Sequence, residues 1–536
     1  MARGQRSSNR RFFYLLAGIV ALLVVLAVVA LQTLKSGAVR SRIASELSSE
    51  LGQPVAIGGL NASIFPPSLS ARFIRIGGAD STAAPGVSLE SLHIVPRLGS
   101  ILPGRTLAID HVDLRGLIIS VRRDSAGRWL LPVPPAPSVD TAKAGAGIDL
   151  NQLRARAGSI RIVDDLVHAP SGGPTITTIT GVEADLQAMA GRVKVSRFTG
   201  RLGESVVTGS SDIGPQGVEL RLGSGSVHPA DIRALFALAG MQPSPLLSIE
   251  GKAPFEMTIS LPPGFATHKV SGKTAIERVK FGTLAFENLQ APFRLDQGVF
   301  TLDPLSFTTY GGRQLGSVSL DLNQPVPVYR IRTSIKGLDV NQALSANTTM
   351  KDFLAGGGTL AGDVRGSGST PAAVERTLTG TLEFELKDGV IRNFPLLAEI
   401  NQALGITQGT ERDTKFQSLS GTAIVAGGTA RTNNLVLRAG ELSLVGKGTM
   451  GFDQRLNLRL AASVSPALSN QLVQRVGLLK NLSNDRGQVT FPVIITGTTT
   501  APSIKVDLGS VAKNQLEGTV KKGLLDLLQK DSTRLQ

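Results

Sequence analysis

The sequence predicts a mainly β chain with few helices, set behind one N-terminal transmembrane helix, and three observations carry that prediction. Phe12–Leu31 is an uncharged, predominantly apolar run; about 20 residues at about 1.5 Å each reach about 30 Å, the thickness of a bilayer's hydrocarbon core. Beyond it, apolar and polar residues alternate over many short stretches, the period of strands with one buried and one wet face. The chain also holds 60 glycines, which punctuate those stretches as turns do.

The anchor's apolar surface is carried by residues such as Phe12, Leu16, Leu23 and Leu31. Arg3, Arg6, Arg10 and Arg11 precede it with no acidic residue among them, so the N-terminus is expected in the cytoplasm and everything after about Leu34 across the membrane. A secretory signal has an apolar core of roughly 7–15 residues followed by a small-residue cleavage site, so this longer run reads as a retained anchor.

The rest of the 536 residues are too many for one ordinary core, which implies several domains or one elongated repetitive body. Cysteine is absent, excluding disulfides and thiolate chemistry, so stability must come from burial and backbone pairing. Subtracting the four N-terminal arginines from the formal charge of +15 leaves +11 on the exported part. A basic chain often meets nucleic acid, but the anchor places the body outside the cytoplasm and stacking residues are sparse at 4% aromatic. No nucleic acid is therefore expected; anionic lipid headgroups or envelope glycolipids are the expected counter-charges.

Along the chain, Val39, Ile43, Leu47 and Leu51 recur at steps of four, with Gly52 where a helix C-cap belongs, and predict a helix over Ala38–Leu51. Val55–Ile57, the turn Phe65-Pro66-Pro67-Ser68, and the runs Leu69–Ile76 and Leu107–Leu114 follow in the manner of strands. Leu131–Gly147 is rich in Pro, Ala and Gly, has no period, and reads as a linker. Alternation then becomes regular at Val218–Leu222, Val318–Leu322, Thr381–Leu386, Glu441–Leu444 and Arg455–Leu460. Helices are expected at Pro229–Ala239, Asp339–Ser345, Phe394–Leu404, Pro466–Leu479 and from about Val511 to Gln529. An echo between Gly225–Leu238 and Ile335–Leu344 suggests a duplicated β-rich unit.

Motifs of chemistry are weak. His93, His111, His168, His228 and His268 stand singly, without a histidine partner at the spacing of a local metal pair. No G-x-S-x-G elbow occurs. Gly446-Lys447-Gly448-Thr449-Met450-Gly451 fits G-x-G-x-x-G, but a strand-like segment follows where a dinucleotide site needs a helix N-terminus. Gly272-Lys273-Thr274 is like the end of a phosphate loop, yet Thr267 stands where its first glycine belongs. Asp164-Asp165 is a carboxylate pair without a visible acid–base partner. The sequence therefore predicts no enzyme, no metal and no cofactor.

Several segments resemble a known family when taken in order. The single anchor, the helix Ala38–Leu51 running into Gly52-Gln53-Pro54-Val55, the turn at Phe65-Pro66-Pro67-Ser68-Leu69 and Asp124-Ser125-Ala126-Gly127-Arg128-Trp129 resemble the start of AsmA family proteins. Gly158-Ser159-Ile160-Arg161-Ile162-Val163-Asp164-Asp165 is similar to the next segment of that pattern. Gly380-Thr381-Leu382, Lys387-Asp388-Gly389-Val390-Ile391, Gly446-Lys447-Gly448 and Phe491-Pro492-Val493-Ile494-Ile495-Thr496-Gly497-Thr498 with Pro502 look like the family's C-terminal region. Gly200 to Val374 matches least well.

The resemblance implies a periplasmic body in which an elongated, antiparallel β-sheet curls into a long apolar-lined groove, in the class of bridge-like lipid transfer proteins that includes TamB. It also implies a link to phospholipid traffic and outer-membrane homeostasis. The expected partners are then a phospholipid or other envelope lipid and the inner membrane. In such a groove Leu382, Phe384, Leu386, Leu442, Leu444, Leu456, Leu458 and Leu460 would point inward; the strand pattern alone also allows them to pack against a second sheet as a sandwich core. A different reading is a periplasmic scaffold that assists outer-membrane protein assembly, holding a partner through a sheet edge or the terminal helix.

The resulting division is 1–34 cytoplasmic tail and anchor, 35–131 N-terminal β-rich domain, 132–147 linker, 148–373 middle β-rich region, 374–507 C-terminal β region and 508–536 amphipathic helix. In the last segment Leu516, Val520, Leu524, Leu527 and Leu528 gather on one side. It could meet an anionic membrane, dock on an envelope protein or cap the last strand edge.

Overall fold

A computed structural model describes residues 37–507 apart from short stretches, the longest being 79–85, 98–107, 131–148, 405–410 and 476–482. The anchor Phe12–Leu31, the linker and the terminal segment from Val511 lie outside the described residues. Among the described residues no helix is long and apolar enough to cross a membrane. Among the described residues strand dominates, in a mixed sheet of 26 strands. The chain divides into two units: one takes the described residues up to Lys280 with Gln290–Gly298, the other takes Phe281–Leu289 and the described residues from Val299.

The first unit opens with helix α1 (Gly37–Leu51), as the four-residue spacing predicts. Its Ile43 and Leu47 are buried with Ile57 of β1 (Val55–Ile64), Leu69 and Ala71 of β2 (Pro67–Gly77) and Leu92 of β3 (Gly86–Pro96). Ser48 ties the helix to the strand after it: its Oγ accepts from the Val55 amide at 2.8 Å and donates to the Ala44 carbonyl at 2.6 Å.

Next come β4 (Ala108–Arg115), β5 (Ile118–Arg123), β6 (Trp129–Leu130) and the long β7 (Asp149–His168). The expectation of an antiparallel sheet fails at β7, which runs parallel to β4 over Asp149–Arg156 and parallel to β5 over Ser159–Asp164. A parallel pair needs a crossover of about a dozen residues or more, and the long segment 131–148 between β6 and β7 provides that length. Between its two partners β7 is kinked at Ala157, where φ is 50°. The remaining pairs are antiparallel: β8 (Pro174–Met189), β9 (Arg192–Leu202), β10 (Ser205–Gly214), β11 (Gly217–Ser224), then β13 (Phe255–Leu261) and β14 (Lys269–Phe281). A turn at Pro229–Asp231, helix α2 (Ile232–Leu238) and short β12 (Leu247–Glu250) lie between β11 and β13, and β15 (Leu284–Asp296) is shared by the two units.

The second unit is an antiparallel ladder in chain order: β16 (Val299–Thr309), β17 (Gly312–Asp321), β18 (Val328–Asp339), β19 (Leu354–Ser367), β20 (Thr379–Ile391), β21 (Thr414–Ala426), β22 (Thr429–Ala439), β23 (Leu442–Gly451), β24 (Arg455–Val464), β25 (Thr490–Thr498) and β26 (Pro502–Val506). Helices α3 (Val340–Asn347), α4 (Pro371–Thr377), α5 (Leu396–Ala403) and α6 (Pro466–Arg475) interrupt it. All but α4 are anticipated by the sequence; α4 starts at Pro371, with Thr370 Oγ1 accepting from the Ala373 amide.

The echo between Gly225–Leu238 and Ile335–Leu344 marks the strand-to-helix junction of two copies of one unit, and a third copy follows. Each copy is a bulged strand, a two-residue turn, two further strands and a helix: β9–β10–β11–α2, β16–β17–β18–α3 and β22–β23–β24–α6. The turns are Gly203-Glu204, Tyr310-Gly311 and Gly440-Glu441, each with a left-handed first residue at φ 58°, 44° and 56°. Six positions later stands Gly209, Gly316 or Gly446, where a Cβ would lie 2.1, 2.0 or 2.2 Å from the carbonyl oxygen of Arg221, Arg332 or Arg459. Only glycine admits that approach of the third strand. Loops of different length between the second and third strands hide the repeat from a sequence comparison.

Candidate functional site

The register brings all eight predicted leucine and phenylalanine positions onto one face of β20–β26. Leu382, Phe384 and Leu386 stand opposite Ala423, Gly421 and Leu419; Leu442 and Leu444 stand opposite Val464 and Ala462; Leu456, Leu458 and Leu460 stand opposite Gly497, Ile495 and Val493. Thr381, Glu383 and Glu385 alternate with the first three and are exposed. The face is apolar because strand side chains alternate with period 2, and the residues on it are hydrophobes or glycines with few exceptions, such as Thr432 opposite Gly448.

The eight residues do not share one environment. Leu386, Leu442, Leu444 and Leu460 belong to a core closed by Leu396 and Ile400 of α5 and Leu472 of α6, with Leu444 at 0% exposure. For these four, ordinary core packing accounts for the pattern. Leu382, Phe384, Leu456 and Leu458 lie further along the same strands and are only half-buried. The helices thus cover one part of the apolar face and leave the rest partly open.

Bulky residues on this face lie over glycines that are their direct partners: Leu382 over Gly362, Phe384 over Gly421, Leu458 over Gly448 and Leu460 over Gly446. A side chain lying across a glycine covers backbone that would otherwise be wet and levels the surface. Gly446 and Gly448 are therefore strand residues beneath leucines, which explains the G-x-G-x-x-G pattern without a nucleotide. Gly272 is likewise inside β14, and Lys273 pairs with Glu256 at 3.0 Å.

In the first unit Asp164 and Asp165 are both ion-paired. The buried guanidinium of Arg123 donates to both carboxylate oxygens of Asp164, one bond being 3.0 Å, and to the Ala237 carbonyl at the end of α2. Arg122 donates to Asp165 at 2.6 Å. The Trp129 ring lies over Arg123, 4.9 Å from its centroid, and Asp124 shapes the intervening turn by accepting from the Ala126 and Arg128 amides. Hydrogen bonds from Arg128 hold the Asp124 carboxyl below its ordinary range. Two sequence segments singled out for their resemblance, Asp124–Trp129 and Gly158–Asp165, thus meet at one buried ion pair. Their cation lies just outside both segments, so nothing in them announces it.

His268 completes this cluster, with Nε2 3.2 Å from the Ala239 carbonyl. Burial, reinforced by the charge of Arg123, pushes its pKa down and keeps the ring neutral at neutral pH. His93 contacts Ser70 at 2.9 Å, His111 contacts Asp110 at 3.2 Å and His228 contacts Glu204 at 3.2 Å. Among the described residues no three His, Asp or Glu side chains form a group that could hold a metal.

No curated protein matches the chain. The family model of the AsmA family matches residues 265–435, from β14 to β22. That region takes in much of the stretch from Gly200 to Val374 that resembles the family least by eye, and two of the three copies of the repeat reach into it. Over residues 265–435 the chain is thus similar to the AsmA family, as the ordered segments of its sequence suggest.

Proposed function

We propose that this chain is a lipid-binding or lipid-transfer protein of the cell envelope, anchored in the inner membrane through Phe12–Leu31, with its body in the periplasm. There it moves phospholipid along the apolar face of the sheet and supports outer-membrane homeostasis. The observation that carries the reading is the half-open stretch at Leu382, Phe384, Leu456 and Leu458: an uncharged lane continuous with a sealed core, on strands whose other face is wet. The match of residues 265–435 to the AsmA family model and the β-dominated fold support it.

The physical need is large. Carrying two acyl chains through water exposes their methylenes at about 0.8 kcal/mol each, on the order of 20 kcal/mol for a phospholipid. An apolar lane removes most of that cost without chemistry, so the function requires no catalytic residue and no cofactor. Mass spectrometry of the protein extracted in mild detergent is expected to find stoichiometric phospholipid. Its absence, beside a co-purifying envelope protein, would favour the scaffold reading.

A further inference from the structure

Strands β21–β26 contain no aspartate or glutamate; the carboxylates of this region sit in the turns around them, at Glu411, Asp413, Glu441, Asp453, Asp485 and Asp507. Two cations of these strands are paired there, Lys415 with Glu411 and Arg455 with Asp453. Arg431, Arg438, Lys447, Arg459 and Lys505 are exposed and form no ion pair with a described residue. All five alternate with the inward apolar positions and so share the outward face.

At three places elsewhere a cation meets a carboxylate across two strands, Lys273 with Glu256 at 3.0 Å, Arg154 with Asp185 at 3.7 Å and Arg332 with Asp363 at 3.3 Å, whereas Arg313 stands opposite Lys336 and Arg115 opposite Arg156. The repeat places an arginine at the same point in each copy. Arg221 pairs with Glu219 and Arg332 with Asp363, but Arg459 stands directly opposite Lys447. Like charges directly opposite across two strands destabilise a sheet, and an external anion relieves that. The five cations are spread over β22–β26, which at about 4.8 Å per strand is a width of about 19 Å, more than one small anion spans. Ile424 and Val445 lie among them, 53% and 48% exposed. The aromatic residues of β21–β26, Phe416 and Phe491, are buried on the other face, so nothing there offers a base a stacking platform.

We propose that the outward face of β21–β26 docks on an anionic phospholipid bilayer, with these five cations meeting the headgroups. The proposal goes beyond the lipid-transfer reading and stands whether or not the other face carries lipid, because docking is measured without lipid movement.

The full chain is held in nanodiscs of pure phosphatidylcholine, and the capture of free vesicles is measured. Vesicles containing phosphatidylglycerol should be captured, less so at higher salt, while pure phosphatidylcholine vesicles should not. Lys447→Gln with Arg459→Gln should weaken capture about 25-fold, at roughly fivefold per cation. Arg438→Gln with Lys505→Gln, remote from the opposed pair, should do the same. Arg154→Gln with Lys273→Gln, an equal charge change in the first unit, should leave it unchanged. A thermal midpoint equal to wild type shows that each variant folds. Equal capture of both vesicle types, insensitivity to both C-terminal double variants or an equal loss in the control overturns the proposal.

Discussion

At the scale of single residues, the eight inward positions separate into two kinds with different consequences. Leu444→Ala removes a fully buried side chain and should cost about 2–5 kcal/mol of stability, whereas Leu458→Ala, half-buried, should cost less and act on lipid handling instead. Denaturant unfolding of the two variants checks this order. Phe384→Lys places a charge in the proposed lipid path and Glu383→Lys places one outside it, so complementation of a deletion should fail for the first and succeed for the second. The buried Arg123–Asp164 pair makes a harsher case. Asp164→Ala leaves a guanidinium with 0% side-chain exposure unpaired, and the first unit should lose about 3–5 kcal/mol, seen as a lowered unfolding midpoint. Asp164 is conspicuous in the sequence, but its role is not, because the partner is 41 residues away and only the parallel pairing of β5 with β7 brings them together.

At the scale of elements, the last carbonyls of α2 are met by Arg123 at Ala237 and by His268 at Ala239. His268 has a depressed pKa in the folded state, so its contribution to stability is full above the unfolded value of about 6.5 and is lost as pH falls below it. Thermal unfolding from pH 7.5 to 5 should show the first unit weakening on acidification, and His268→Gln should flatten that slope. The repeated glycine gives a second element-scale expectation. Gly446→Ala should destabilise its hairpin by about 1–3 kcal/mol because Cβ would meet the Arg459 carbonyl. Gly357→Ala, with nothing within 4 Å, should be tolerated. Most helices and the alternating strands were legible because each is a local pattern. The third copy of the repeat was not, since its signature is a spacing of two glycines rather than a matching run.

At the scale of the whole molecule, strand dominance and the shared apolar face were readable from period alone. Which part of that face is sealed was not, because α5 and α6 cover it from positions the strand pattern does not contain. The parallel course of β7 escaped for a related reason: chain length permits a crossover but does not demand one. The proposed membrane topology carries its own expectation, that protease added to spheroplasts digests the body; full protection, with a periplasmic control cleaved, would contradict it.

The central claim is that lipid chains lie on the half-open part of the apolar face. A photoreactive amino acid placed in turn at Phe384, Leu458, Leu444 and Asn457 in living cells, followed by mass spectrometry of the purified protein, tests it most directly. The account predicts phospholipid adducts from Phe384 and Leu458, and none from buried Leu444 or outward Asn457. Adducts of equal yield from Asn457, or none from Phe384 and Leu458, would contradict it.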